Sequence, residues 1–527
     1  MPSARRTSGS GRRNRRSQTR TAELSAAVDK VADMARIAVI GAGAGAMAAA
    51  ARLAVAGHRV TVYERSATYG GSVGRFQRDG FAFDTGPGLL HLPAVWRDLF
   101  LKTGKEPLES RVGLVQVDPA SRHLFADGTA ATLPNASRAG VVSALEEALG
   151  AGAGERWGRF LVRARDAWDR SRRPLLEEPL WPNWEVLGRN PYPSLRRRGL
   201  LRVREAATVR EIGRWELADP RLSALLDGCA LSYGLDPRDA PASAALLPYM
   251  EQTFGSWYVE GGLRELARAV YERCLARKVE FEFDAEVTRV VEKDGRAVGV
   301  ELADGSFAEA AHVVAGAPVA GLLGGRVWQD RDVPPQRPVT GRFTVLAALR
   351  GARSASAAHR TVVHSPDASA EAAAVFGGRA AERPTVTVLR PDDPRTRPDG
   401  AHEAVTLTAT VTAHAAPGGY GADWTDVALR ERCARALIDQ AAAAVPEIRE
   451  RLLWQEVLTP AETGPVPAPA LAGGGCGWLH QGNATRLPGL YLAGGWSHPG
   501  GGLAHAGMSG ALVAGLIVEG PDFRGSR

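Results

Sequence analysis

Two glycines, an alanine and one acid are the residues in this chain whose types and spacing point most directly to chemistry. Gly41, Gly43 and Ala46 stand in the run Gly41-Ala42-Gly43-Ala44-Gly45-Ala46, and Glu64 follows 23 positions after Gly41. The apolar segment Ile37-Ala38-Val39-Ile40 precedes the run. An alanine-rich stretch from Met47 to Ala56, then Gly57, then Arg59 to Tyr63 follow it. The pattern predicts strand, turn, helix and strand, the arrangement of a dinucleotide-binding βαβ unit. Gly41 permits the tight turn, with Ala42 and Ala44 completing it. Gly43 lets the backbone approach a pyrophosphate, whose charge meets the N–H groups of the helix start. Ala46 is small enough for helix and strand to pack closely, and Glu64 is placed to accept hydrogen bonds from a ribose.

No other cluster competes with this one. The cysteines, Cys229, Cys274, Cys433 and Cys476, are far apart and form no C-x-x-C, so neither a zinc ribbon nor a disulfide framework is indicated. The formal net charge of +7 is carried mostly by residues 1–33, which contribute +5. The rest of the chain is nearly balanced, which gives no reason to expect nucleic acid as a partner. Residues 1–33 are rich in Arg, Ser and Gly without hydrophobic periodicity, and are expected to be a disordered basic tail. Their arginine pairs lack the apolar core of an export signal, so a cytoplasmic location is expected.

The elements that position the glycine turn are spread along 527 residues. Residues 141–250 read as mostly helical. Gly261-Gly262-Leu263 opens a helix to about Arg277. Strand patterns at Val279–Phe283, Glu286–Glu292, Ala297–Leu302 and His312–Ala315 follow, read as a return to the first sheet. A second strand-rich block, 342–349, 361–364, 385–389 and 404–412, reads as a separate sheet, with helix over 424–444. From Leu487 to Val518 there are 32 residues without Asp, Glu, Lys or Arg. Nine glycines and two prolines in that stretch argue against a membrane span. It predicts a strand at 490–493, a glycine-rich turn through Gly502, and a helix from Leu503. Between Arg172 and Arg204, Trp181, Trp184 and Tyr192 stand among arginines, a composition suited to a membrane surface.

Several stretches resemble the bacterial phytoene desaturase family, FAD-dependent carotenoid desaturases and isomerases within a wider flavin amine oxidase-like superfamily. They are RIAVIGAGAGAMAAAARLAVAGHRVTVYERSATYGGSVG, FAFDTGPGLLHLPAVWRDLF, GLDPRDAPASAALLPYMEQTFGSWYVEGGLRELARAV, PTVTVLRPDDPRTRPDGAHEAVTL and LPGLYLAGGWSHPGGG. The resemblance implies an α/β chain with a Rossmann-like FAD-binding domain (residues 34–140, 256–325 and 456–527) and an inserted α+β substrate domain (141–255 and 326–455). It implies that Arg65, Gly70, Gly71 and Ser72 line the phosphate and ribityl path. Val287 would meet adenine from a strand beside the first sheet. Gly495, Gly502 and Leu503 would approach the flavin, with His498 near it as the one catalytic candidate. Leu89, Trp257 and Tyr258 are candidates for an apolar substrate tunnel.

The implied reaction is desaturation of a hydrophobic polyene, with oxygen or a quinone as electron acceptor, at the inner face of the cell membrane. Departures at Leu503-Ala504-His505-Ala506 and Gly316-Ala317 suit a divergent desaturase, acting on phytoene or on a later or hydroxylated carotenoid. Carotenoid isomerisation and amine oxidation are other reactions of the same scaffold. A lipid- or protein-binding role like that of Rab GDP dissociation inhibitors is the alternative of another class.

Overall fold

The computed structural model describes residues 34–182, 184–195, 197–198, 203–317, 322, 339–415 and 419–525. The expected tail at 1–33 lies outside these residues. A five-stranded parallel sheet grows outward from Arg36–Ile40, where residues 37–40 are all buried. Arg59–Tyr63 pairs on one side, with Ile37 opposite Val60 and Ile40 opposite Tyr63. His312–Ala315 pairs on the other. Glu280–Glu282 and Leu490–Leu492 form the edges. Ile37, Val39, Val60, Val62 and Val314 face the helices Ala44–Val55, Leu263–Ala276 and Leu503–Glu519. Ala38, Ile40, Tyr63, Val313 and Leu490 face a three-stranded antiparallel sheet, Val287–Lys293, Arg296–Leu302 and Phe307–Glu309. The strands are covered on both faces, which is why they read as near-continuous apolar runs.

This arrangement corrects one expectation. Val287 does not lie in a strand of the first sheet; Glu280–Glu282 does. Val287 begins the covering sheet and is buried in the same apolar cluster as Tyr63. The chain turns between the two strands at Asp284, which has φ +54°.

The second sheet has seven strands, in the order Leu452–Leu458, Thr340–Arg350, His402–Thr412, Val386–Leu389, Arg360–Val363, Ser121–Leu124 and Ala130–Leu133. Phe343, Val345, Leu407 and Val388 on one face pack against the helix Val427–Ala441. The two strands at 121–133 belong to this sheet, so the boundary expected at 140 falls too late. Likewise Leu452–Leu458 carries the sheet past the boundary expected at 455. Ser121–Leu124 joins by parallel pairing with Arg360–Val363, a contact between distant segments that leaves no local trace in the sequence. A helical layer, chiefly Arg138–Leu149, Ala153–Arg172, Pro220–Ser232 and Leu246–Phe254, stands over the opposite face.

The segment expected to meet a membrane is packed differently from that reading. Trp181 and Trp184 lie edge to face at 5.5 Å, half-buried against the helical layer. Tyr192 is buried and donates to Glu216 at 2.6 Å. Among the described residues no helix is long and apolar enough to cross a membrane.

Candidate active site

Two of the loop's glycines meet different demands. Gly41 has φ +87°, and its N–H donates to the Tyr63 carbonyl at 2.7 Å, folding the loop back on the second strand. Only glycine adopts that conformation at little cost. Gly43 has φ −70° and ψ 162°, open to any residue. A Cβ there would meet nothing within 4 Å. The backbone does not require glycine at this position; the empty space before the helix start does, and it is a cradle that one added carbon would begin to fill. At Ala46 the constraint is packing, since a Cβ on Gly316 would stand 2.7 Å from that of Ala46.

The last helix brings the second glycine turn to the first. A Cβ on Gly45 would stand 2.7 Å from the Ala506 carbonyl and 2.9 Å from Gly494 Cα. One on Gly510 would stand 2.5 Å from the Gly45 carbonyl. The helices Ala44–Val55 and Leu503–Glu519 therefore meet backbone to backbone, which carries Gly495, Gly502 and Leu503 beside the cradle. Ser509 fixes the turn from the helix, its hydroxyl accepting from the Gly494 N–H at 3.0 Å.

Glu64 is buried and already occupied. Its Oε2 accepts the Ala42 N–H at 2.7 Å, and its Oε1 accepts the Ser66 N–H at 2.9 Å and hydroxyl at 2.6 Å. A carboxylate offers about four acceptor positions, so one on Oε2 remains for a ribose hydroxyl. The same carboxylate thus shapes the loop and faces the ligand. Gly70 donates to the Ala42 carbonyl at 2.8 Å, bringing the 70–72 loop onto Gly43. Gly71, Ser72 and Arg65 there are exposed.

Arg264 escaped sequence reasoning. From the helix Leu263–Ala276 it donates to the carbonyls of Tyr69 and Val73 and, at 2.6 Å, to the Thr68 hydroxyl; its guanidinium lies 4.0 Å from the centre of the Tyr69 ring. It holds the 68–73 loop closed over the cradle. Asp84 caps that helix, accepting the Leu263 N–H at 2.9 Å. Burial pushes its carboxyl up to about 6, against the pull of the helix N–H groups.

His498 is fully buried in the second glycine turn. Its Nε2 is 3.1 Å from the Glu178 carbonyl, which can only accept, so this nitrogen carries the proton. Nδ1 is then a bare acceptor, and it has no partner among the described residues. Burial lowers the imidazole to about 4. His505, in the following helix, is likewise held at about 4 by burial. Neutral rings with such low basicity orient a ligand better than they take a proton near neutrality.

The three tunnel candidates separate. Ser256–Val259 pairs with Leu90–His91 and with Leu114–Gln116. Successive residues of a strand point to opposite faces. Tyr258 packs with Leu89 and Val117 and donates to Asp393 at 3.0 Å. Trp257 points the other way, with Arg97 5.3 Å from its ring centre. Leu89 and Tyr258 come together; Trp257 does not join them.

A cleft opens between the second sheet and the helical layer. Apolar side chains such as Leu133, Trp157 and Leu225 line it together with Glu251, Arg342 and Arg360. The purely apolar tunnel expected from the sequence is not what stands here. The short strand Leu90–His91 links the two regions. It touches the last helix, and His91 Nε2 is 4.0 Å from Glu251.

Comparison with known proteins places this chain in a family. The family described as flavin containing amine oxidoreductase matches residues 47–518. The chain belongs to that family. A flavin is therefore its cofactor, and the cradle at Gly43 and the one open position on Glu64 fit a bound dinucleotide. Within this flavin amine oxidoreductase family the chain is 29% identical over 507 residues to a 4,4'-diapolycopene oxygenase of Methylomonas sp, covering 92% of this chain and 98% of that one. It is 28% identical to a hydroxyneurosporene desaturase of Rubrivivax gelatinosus, covering 92% and 93%. An oxidoreductase structure from Methanosarcina mazei superposes with a TM-score of 0.62 over 91% of this chain and 99% of that one, at 18% identity, a likeness of fold.

Proposed function

We propose that this flavin oxidoreductase binds FAD and desaturates a carotenoid. The reading is carried by one observation: the pyrophosphate cradle of Gly41, Gly43 and Glu64 lies in a chain that aligns nearly end to end with relatives named for carotenoid chemistry. When bound, the flavin supplies the hydride acceptor that removal of hydrogen from adjacent carbons needs. The chain's own part is to hold and orient. The Gly41–Ala46 turn and the helix start receive the pyrophosphate, Glu64 receives a ribose hydroxyl, and Arg264 keeps the 68–73 loop over both. Leu89 and Tyr258, packed together with Val117, offer an apolar surface for the polyene.

Amine oxidation fits less well, because a protonated amine entering the cleft would face Arg342 and Arg360. Oxygen or a quinone reoxidises the flavin, and the protein works from the cytoplasm at the inner face of the cell membrane. Exposed Val186 and Leu195, with exposed Arg189 between them, support a membrane contact in place of the packed aromatics. Liposome flotation tests it: recovery of all protein at the bottom of the gradient would contradict it. The reaction is tested by adding carotenoid-loaded liposomes to purified holoprotein without oxygen. Bleaching of the flavin absorbance with formation of a more conjugated pigment is expected; an unchanged flavin spectrum with every carotenoid tried would overturn the reading.

A further inference from the structure

The cleft carries a charge that the proposed reaction does not use. Its sheet side is a row of polar residues, because alternate positions of five strands turn the same way. Arg342 stands opposite Thr410, Thr408 opposite Thr387, Thr387 opposite Val362, and Val362 opposite His123. The other face of the same strands is the apolar one that packs on Val427–Ala441.

The charges do not cancel. Glu251 is the only carboxylate among the lining residues. It is taken by Arg360 at 3.0 Å and accepts the Tyr233 hydroxyl at 3.0 Å. His123 and His364 lie 3.0 Å apart, and burial holds both far below the range where they would charge. Arg342 has no carboxylate partner among the described residues. It donates to the Ser232 carbonyl at 2.5 Å, one use of a group with five N–H donors. Burial and the nearby Arg360 both lower its pKa, which measures how unfavourable its charge is there. Arg342 is only half-buried, so its guanidinium is open to the cleft while no carboxylate neutralises it. Leu133, Trp157, Leu225 and Leu231 supply an apolar stretch of wall, beside polar Ser121, Gln252 and Ser256.

We propose that the cleft binds the carboxylate end of a long apolar chain, with Arg342 as the residue that pairs with it and the apolar stretch of wall holding the first carbons. The proposal rests on the carotenoid reading only in giving the ligand a long conjugated chain. It makes the preferred ligand an acid-ended polyene, not a plain hydrocarbon.

The test uses holoprotein and needs no turnover. All-trans-retinoic acid and all-trans-retinol, equal in length and differing at the terminal oxygen, are titrated while quenching of tryptophan fluorescence is followed; Trp157 lines the cleft. Retinoic acid is expected to bind at least tenfold more tightly than retinol. Arg342→Met is expected to abolish that preference and Arg342→Lys to restore most of it, with thermal melts confirming that both variants fold. Equal affinity for acid and alcohol, no binding of either, or an unchanged preference in folded Arg342→Met overturns the proposal. A protein that desaturates hydrocarbons but shows no acid preference loses this inference and keeps the reaction. One that prefers the acid but never reduces its flavin keeps the cleft and loses the reaction.

Discussion

Replacing Gly43 with alanine separates the cofactor cradle from the fold. At φ −70° and ψ 162°, with nothing within 4 Å of the new Cβ, the substitution imposes no strain on the free protein. Removing a glycine from the unfolded chain stabilises by about 0.4–1 kcal/mol, and loss of glycine at a helix start costs a few tenths or more. The net change in stability is therefore within about 1 kcal/mol. Cofactor binding responds differently. The Cβ projects into the space that the pyrophosphate must enter to reach the N–H groups of the helix start. Hydrogen bonds to a charged group are worth about 1.5–3 kcal/mol each, so displacing the phosphate from two of them costs about 3–6 kcal/mol. That is a loss of roughly 100-fold to 10,000-fold in affinity. Gly41→Ala is the control: its φ of +87° makes it destabilise the fold by about 1–2 kcal/mol. The assay is titration of deflavinated protein with FAD, beside thermal melts. A Gly43→Ala protein that binds FAD like the wild type, or that is destabilised as much as Gly41→Ala, would refute the reasoning.

Three further outcomes follow from the packing and the buried charges. Burial pushes Glu251 up, but Arg360, His91 and the Tyr233 hydroxyl outweigh it and hold the carboxyl at about 2 against an ordinary 4.5. Its contribution, about 3 kcal/mol, is present above pH 4.5 and lost as pH falls toward 2. Acid denaturation of Arg360→Met should therefore begin at higher pH, with a stability loss near neutrality of about 3–5 kcal/mol in denaturant melts. Asp84 has the opposite sign. Raised to about 6 from 3.8, it favours the fold below pH 3.8, and that stability is lost as pH rises through 6. Asp84→Asn should flatten this limb in melts between pH 4 and 7. Gly510→Ala would place a carbon 2.5 Å from the Gly45 carbonyl, so the last helix must shift; a loss of about 1–3 kcal/mol and a lower flavin content on purification are expected.

Local composition made the cofactor half of the chain readable. The strand before Gly41, the turn, the helix and the acid all lie within 30 residues, and the final turn ends in a helix that begins at Leu503 as expected. The rest depends on contacts that sequence does not display. Glu280–Glu282 and Val287–Lys293 have similar patterns but join different sheets, so sequence alone does not show which of them extends the first sheet and which covers it. Ser121–Leu124 finds its partner far along the chain. Trp181, Trp184 and Tyr192 look like surface aromatics by their arginine neighbours, yet all three pack inward. The cleft assembles Glu251, Arg342 and Arg360 from a helix and two strands. One signal for it was present: Thr406, Thr408, Thr410 and Thr412 alternate with Val405, Leu407, Ala409 and Val411, marking a strand with one polar and one apolar face.

The central claim is that this flavoprotein extends the conjugation of a carotenoid. It is tested most directly by expressing the full chain in bacterial hosts that accumulate phytoene or its partly desaturated derivatives and recording the pigment spectra. The account predicts new visible absorption with fine structure, shifted to longer wavelength than the host's own pigment, and loss of that absorption with Gly43→Ala. Unchanged spectra in every host, with folded, flavin-loaded protein present, would contradict it.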